Sequence, residues 1–239
     1  MEIARVIAHR GASAYTPENT MAAFNKALSL GSRFIEFDVM LSEDGDPFIF
    51  HDDNLERTTN GRGEFGRMRS EQVRSLDAGT WFSRRFHNEK IPSLQETLQW
   101  FSAAKIQANI EIKPHPGQFE PVTIAVLSHL NQYWPSDLEL PLLSSFDRDA
   151  LYLCRSIAPE IPLALLLHEW QDNWLQHAKE LQCMSVNLNK CILTKARVAE
   201  IKQQGYKVYA YTVNHKRQAL KLFAWGVDAV FSDYPDLLS

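Results

Sequence analysis

Two carboxylates and an imidazole fall within one short stretch, FIEFDVMLSEDGDPFIFHD, from Phe34 to Asp52. Read as a strand, Phe34, Glu36 and Asp38 share one face and Ile35, Phe37 and Val39 the other, because strand side chains alternate. Burying Glu36 and Asp38 on an otherwise apolar strand is costly unless something cationic lies between them. Asp44-Gly45 is the strongest short hairpin signal, and Pro47-Phe48-Ile49-Phe50-His51 reads as the returning strand. A two-residue turn at Asp44-Gly45 pairs Glu43 with Asp46. Carried along the hairpin, that register sets His51 opposite Asp38, with Cβ atoms roughly 4.5–5.5 Å apart.

The remaining ionisable groups sit at the ends of two other apolar runs. His9-Arg10 closes the first, and Asn109, Glu111 and Lys113 alternate with Ala108, Ile110 and Ile112 on another. Glu36, Asp38 and Glu111 form an all-oxygen set that suits a hard divalent cation, Mg2+ or Ca2+, rather than zinc. Mn2+ and Co2+ are the other ions to supply. Three carboxylates and one such ion leave a single negative charge, which Arg10 and Lys113 turn into a single positive one. A singly charged anion such as a phosphodiester would neutralise it. His9 and His51 can supply a base and an acid near neutral pH, since the reference pKa of imidazole is about 6.5. No Ser or Cys nucleophile stands with a His and an orienting acid, so a metal with two imidazoles favours displacement at phosphorus.

Plainer readings compete. Glu36 and Asp38 also fit a structural ion pair with Arg10 and Lys113, and a His at a strand end is often structural. Thr16, Glu18, Asn19 and Thr20 read equally as helix capping. Arg57 and Thr58-Thr59-Asn60 read as turn formers, Trp81 and Phe82 as the small core of a local insertion. His87, His115, His129, His168, His177 and His215 fall in helices or loops and read as surface residues.

The elements that position these groups alternate. Strand Arg5–His9 is followed by a helix entered at Thr16-Pro17-Glu18 and ended by Gly31. The hairpin comes next, then residues 53–91, too long for an ordinary connection and read as an insertion. A helix from Pro92-Ser93 to about Ala104 follows. Strands at Ala108–Lys113, Leu140–Ser144, Pro162–Leu167, Met184–Leu188, Lys207–Thr212 and Val227–Ser232 each precede a helix or a final turn. Eight strand-then-helix units in 239 residues point to a (β/α)8 TIM barrel, with the insertion after the hairpin that follows strand two. His9-Arg10-Gly11-Ala12-Ser13 is not the Gly-rich fingerprint of a doubly wound sheet. In such a barrel the site lies at the C-terminal strand ends, where these groups fall.

Composition is ordinary, 45% hydrophobic and 23% charged with a net charge of -4, and gives no overall electrostatic case for nucleic acid or an anionic membrane. No apolar run reaches the ~20 residues that span a bilayer. MEIARVIAHRG enters an apolar run at once, with neither h-region nor cleavage site, and Cys154, Cys183 and Cys191 lack a metal-type spacing. The expectation is one cytoplasmic domain with reduced thiols, acting on a small molecule, with no feature that marks an oligomer interface.

Taken in order, several motifs closely resemble the glycerophosphodiester phosphodiesterases. They are His9-Arg10-Gly11, Pro17-Glu18-Asn19-Thr20, Glu36-x-Asp38, His51-Asp52, Arg57-Thr58-Thr59-Asn60-Gly61, Ile91-Pro92-Ser93-Leu94, Glu111-x-Lys113, Ser145-Phe146, Thr212-Val213-Asn214 and Asp233-Tyr234-Pro235. The resemblance spans essentially the whole chain and looks like the cytosolic bacterial type. It implies a barrel with a family-specific insertion and hydrolysis of glycerophosphodiesters to sn-glycerol 3-phosphate and an alcohol. It further implies that His9 and His51 are the catalytic pair, Glu36, Asp38 and Glu111 the metal ligands, and Arg10 and Lys113 the phosphate contacts. Tyr211 stands where the family more usually has Trp, at the expected border of the glycerol pocket. The rivals are a related barrel acting on another phosphodiester, such as an inositol or sphingosine phospholipid, and a silent sugar-phosphate-binding barrel.

Overall fold

The computed structural model describes residues 5–238. Met1 to Ala4, the head of the stretch inspected for a leader, lie outside the described residues. The apolar runs form β1 (Val6–His9), β2 (Phe34–Leu41), β3 (Pro47–Ile49), β4 (Gln107–Ile112), β5 (Leu142–Ser145), β6 (Leu163–Leu167), β7 (Ser185–Asn189), β8 (Lys207–Tyr211) and β9 (Ala229–Ser232). All except β3 pair in parallel, in the order β1-β9-β8-β7-β6-β5-β4-β2. The pairing of β1 with β2, Ala8 beside Ile35 and His9 beside Glu36, closes the ring. This is a TIM barrel.

The helices are α1 (Met21–Ser29), α2 (Ser70–Ser75), α3 (Leu94–Ala104), α4 (Phe119–Tyr133), α5 (Arg148–Ile157), α6 (Trp174–Glu180), α7 (Lys195–Gln203) and α8 (Lys216–Trp225). α2 lies in the insertion after the hairpin, and the others cover the outside of the barrel. Side chains directed outward from the strands, such as Ile35, Phe37, Val39, Ile110, Leu165 and Val208, form the main core with the helices' apolar faces. A smaller core fills the barrel itself, with Ile7, Phe34, Leu142, Tyr209, Ala229 and Phe231. Ends are capped as their sequences suggest. Ser93 and Glu96 form a reciprocal capping box on α3, and Asp147 accepts from Ala150 N–H on α5.

One expected boundary shifts. The first helix begins at Met21 with Thr20 as its cap, not at Pro17. Arg10 and Asn19 both take positive φ, and Asn19 N–H donates to Arg10 C=O, so residues 10–20 fold as a turn at the barrel mouth instead of a helical first turn. Gly11 is required there, because a Cβ on it would lie 2.7 Å from Ala23.

The hairpin register also differs from the expected one. β2 and β3 pair Val39 with Ile49, Met40 with Phe48 and Leu41 with Pro47, one residue out from the Glu43–Asp46 register. The turn is three residues long, Glu43-Asp44-Gly45, with Gly45 at φ +88. Ser42 fixes it. Its N–H donates to Asp46 C=O at 2.9 Å, and its hydroxyl accepts from Asp46 N–H at 3.0 Å. Asp38 therefore faces Phe50, whose N–H donates to Asp38 C=O, and His51 is not its cross-strand partner.

The insertion has its own core. Met40, Phe48 and Phe50 from the hairpin pack on Leu55, Phe65, Val73, Leu76, Ala78 and Ile91. Trp81 and Phe82 are not part of it. They stack edge to face beside Phe86, and Trp81 is 39% exposed. The segment after α2 is instead organised by Asp77, which accepts from the N–H groups of Gly79, Thr80 and Asn88.

Candidate active site

The three carboxylates meet at the C-terminal mouth of the barrel. Register places Glu36 beside Asn109 and Asp38 beside Glu111, so alternation turns all four inward in two layers. One ligand oxygen from each of Glu36, Asp38 and Glu111 lies within 4.8 Å of the other two. Glu36 and Asp38 are buried, Glu111 half-buried.

Their electrostatics are unequal. Burial, then Asp38 and Glu111, push Glu36 well above the usual carboxylate range, although Arg10 N–H donates to it at 2.9 Å. Burial and Asp38 likewise raise Glu111. At Asp38 burial acts in the same sense but is outweighed by Arg10, His51 and Lys113, and the group is held down at about 2. Arg10 Nε lies 3.4 Å from Asp38, Lys113 Nζ 4.0 Å from Asp38 and 3.3 Å from Glu111. Asn19 Nδ2 donates to Asp38 at 2.8 Å. Three carboxylates this close, one pair of them resisting ionisation, form a cluster short of positive charge, with oxygen donors that fit a hard divalent ion.

The two histidines approach from different parts of the chain. His9 is carried by the last residue of β1, and its Nδ1 lies 2.7 Å from Asp233 Oδ1. Ser13 Oγ and Asn214 Nδ2 also donate to Asp233, whose pKa, raised by burial but lowered further by these partners, falls to about 2. Burial and Arg10 lower the His9 pKa. His51 follows β3, where pairing has ended, so alternation no longer sets its direction. Its Nδ1 lies 2.6 Å from Asp52 Oδ1.

His51 is tied back to the cations through a continuous chain. Arg57 donates to Asp52 at 2.5 and 2.9 Å and to Glu18 at 2.7 Å from each of two nitrogens. Glu18 accepts in turn from Arg10 at 2.6 Å. Glu18, Asn19, Asp52 and Asp233 thus touch the expected site residues, and Arg57 reaches them through Glu18 and Asp52, whereas spacing alone left Glu18 and Asn19 as caps and Arg57 as a turn former. The available signal was their membership in the Pro-Glu-Asn-Thr, His-Asp, Arg-Thr-Thr-Asn-Gly and Asp-Tyr-Pro motifs, which carry no direction.

His9, Arg10, Glu36, His51, Glu111 and Tyr211 all line one inner cavity of about 210 Å³, floored by Asn109 and Ser144. Tyr211 forms part of its wall, with its hydroxyl donating to Leu167 C=O and its ring edge to face with Phe146. His168, expected on the surface, stands on the rim of the same cavity. His115, also expected there, is half-buried, with its ring against Phe65 and its Nε2 3.0 Å from Leu41 C=O. A wider open groove of about 720 Å³ adjoins the cavity, sharing His51, Glu111 and Phe146 and extending over Asp53, Arg57 and Lys113.

Comparison with known proteins identifies the family. The profile of the glycerophosphoryl diester phosphodiesterase family matches residues 9–237. A phosphodiesterase of Oleispira antarctica, solved in complex with the product sn-glycerol 3-phosphate, is 40% identical, with a TM-score of 0.95 over 98% of this chain and 94% of that one. YhdW of Bacillus subtilis is 35% identical over 98% of this chain and 96% of its own. A glycerophosphodiester phosphodiesterase of Caldanaerobacter subterraneus is 32% identical over 98% and 95%.

Proposed function

The chain belongs to the glycerophosphoryl diester phosphodiesterase family, and from that membership we propose that it hydrolyses glycerophosphodiesters such as glycerophosphocholine and glycerophosphoethanolamine to sn-glycerol 3-phosphate and the free alcohol. The observation that carries the reading is that His9 and His51, each held at Nδ1 by a carboxylate, line the cavity that Arg10 and two of the three clustered carboxylates also line.

Glu36, Asp38 and Glu111 would hold one divalent cation, Mg2+ or Ca2+, with Mn2+ or Co2+ as alternatives. Bound there, it would act as a Lewis acid toward a phosphodiester oxygen. Arg10 and Lys113 face the same place and stabilise negative charge that develops at phosphorus. Asp233 and Asp52 each orient an imidazole by its Nδ1, leaving Nε2 for the substrate. One histidine removes a proton from the nucleophile, water or the glycerol 2-hydroxyl, and the other protonates the departing alkoxide; where the 2-hydroxyl attacks, water then opens the cyclic phosphate to glycerol 3-phosphate. The glycerol moiety fits the inner cavity, bordered by Tyr211, and the alcohol the outer groove.

No helix among the described residues is long and apolar enough to cross a membrane, and Cys154, Cys183 and Cys191 are free thiols, which supports action on a small soluble substrate in a reducing cytoplasm. The test is release of glycerol 3-phosphate from glycerophosphocholine by purified protein supplied in turn with Mg2+, Mn2+, Co2+ and Ca2+, and again with EDTA. Metal-dependent release is expected. No release with any ion would leave a silent sugar-phosphate-binding barrel, and release only from inositol or sphingosine phospholipids would reassign the substrate.

A further inference from the structure

The floor of the inner cavity holds a buried polar pair that the chemistry above does not use. Asn109 on β4 and Ser144 on β5 each line the cavity at 1% exposure. Asn109 Nδ2 donates to Ser144 Oγ at 2.8 Å. Among the described residues Asn109 Oδ1 has no hydrogen-bond partner. A buried amide oxygen without a partner costs free energy, and an apolar residue would fill the same place without that cost. Having accepted from Asn109, the Ser144 hydroxyl still has its own hydrogen to give. Side by side the two present one acceptor and one donor, the complement of a single hydroxyl group.

Depth says which hydroxyl. Asn109 lies two residues below Glu111 on the same strand, about 6.6 Å at ~3.3 Å per residue. An ester chain that starts from phosphorus at the level of Asp38, Glu111 and Lys113 and runs down the cavity covers a comparable distance by its third carbon. We infer that Asn109 and Ser144 bind the terminal hydroxyl of the substrate's glycerol moiety, the one farthest from phosphorus, and make the inner cavity selective for a polyol over an alkyl chain. The inference rests on the reading of the cavity as a glycerophosphate site.

The experiment is equilibrium binding, by calorimetry with Mg2+ present, of sn-glycerol 3-phosphate and of propane-1,2-diol 1-phosphate, which lacks only that hydroxyl. Glycerophosphocholine hydrolysis is followed on the same preparations. The wild-type protein is expected to bind the glycerol compound roughly tenfold or more tightly than its deoxy counterpart. Asn109→Leu and, as the smaller change, Ser144→Ala should lose that preference, with the two ligands within about threefold of each other. Melting curves establish that each variant is folded. Equal wild-type affinities, or full preference kept in the folded Ser144→Ala protein, overturn the inference while hydrolysis of glycerophosphocholine leaves the underlying reading intact. A wild type that neither binds nor hydrolyses the glycerol compounds fails both.

Discussion

Arg57 donates to both carboxylate oxygens of Asp52, one of which also meets His51 Nδ1, and two of its nitrogens donate to Glu18, which accepts from Arg10. A residue in the insertion thereby fixes both an imidazole and a cation of the barrel mouth. Hydrogen bonds to charged groups contribute more than neutral ones, so Arg57→Ala should lower kcat for glycerophosphocholine by roughly 10- to 100-fold. KM should change less, because Arg57 acts on the barrel mouth through Asp52 and Glu18 and borders only the open outer groove, not the inner cavity. Arg57→Lys restores the charge without the fork that spans two carboxylates, and should recover only part of the loss. Steady-state kinetics on the two variants checks this.

His9→Ala and His51→Ala should each reduce kcat by on the order of 10²–10⁴. Neither residue belongs to the carboxylate cluster, so calorimetric titration with Mg2+ or Mn2+ should give the wild-type stoichiometry in both. Loss of metal binding in either variant would move that histidine into the ligand set.

The pH response of His9 follows from its neighbours. Burial and Arg10 lower its pKa below 6.5, while the hydrogen bond and charge of Asp233 act in the opposite sense. His9 is therefore neutral at pH 7, and protonating it costs more in the folded chain than in the unfolded one. This group's contribution makes the fold less stable as pH falls below its unfolded pKa. Asp233→Asn removes the negative charge that raises the pKa and should shift the His9 titration, followed by NMR of the imidazole carbons, to still lower pH. An upward shift would contradict the assignment of causes.

Chelation should bring activity to background, and adding back one divalent ion should restore it. Glu36→Gln and Glu111→Gln should each prevent restoration and should raise the melting temperature of the metal-free protein. Both carboxylates resist ionisation where they stand, because burial and neighbouring charge disfavour the charged form. Replacing either with a neutral isostere relieves that cost. Differential scanning calorimetry in EDTA measures it.

Phe65 is fully buried, stacked 4.6 Å from Phe50 and edge-on to Phe48 at 6.5 Å. Phe65→Ala should cost about 3–5 kcal/mol if the cavity stays open. Urea unfolding measures the loss. Because Phe50 immediately precedes His51, activity should fall more than metal affinity does.

The barrel was legible because its signals are local and repeated: apolar runs ended by polar residues, each followed by a capped helix. The carboxylate trio was legible because alternation within β2 and β4 fixes which side chains share a face. The hairpin was misread by one residue. Asp44-Gly45 signals a reversal, but only the Ser42 hydrogen bonds show that Glu43 belongs to the turn and that Gly45 closes it. The bonds from Asp233 to His9 and from Arg57 to Glu18 were not legible for a different reason. Asp233 is separated from His9 by 224 residues and Glu18 from Arg57 by 39, and no local pattern tells a carboxylate which cation it will meet. Thr20 as a cap and Glu18 as a bridge occupy the same motif, so residue type alone could not divide them.

The small separate core of the insertion has a mechanical consequence. His9 and the three carboxylates are carried on strands of the closed ring, where each backbone is paired on both sides. His51 and Arg57 hang on a three-residue strand at one edge and on the loop beyond it, seated by a few aromatic contacts. The two parts can open with different free energies, as contiguous units of a native protein do. Warming or mild denaturant would then disconnect the acid–base pair while the ion remains bound, a dormant form that hydrogen exchange would register as early loss of protection between residues 50 and 91. Recovery from it needs only the insertion to reseat, not the barrel to refold.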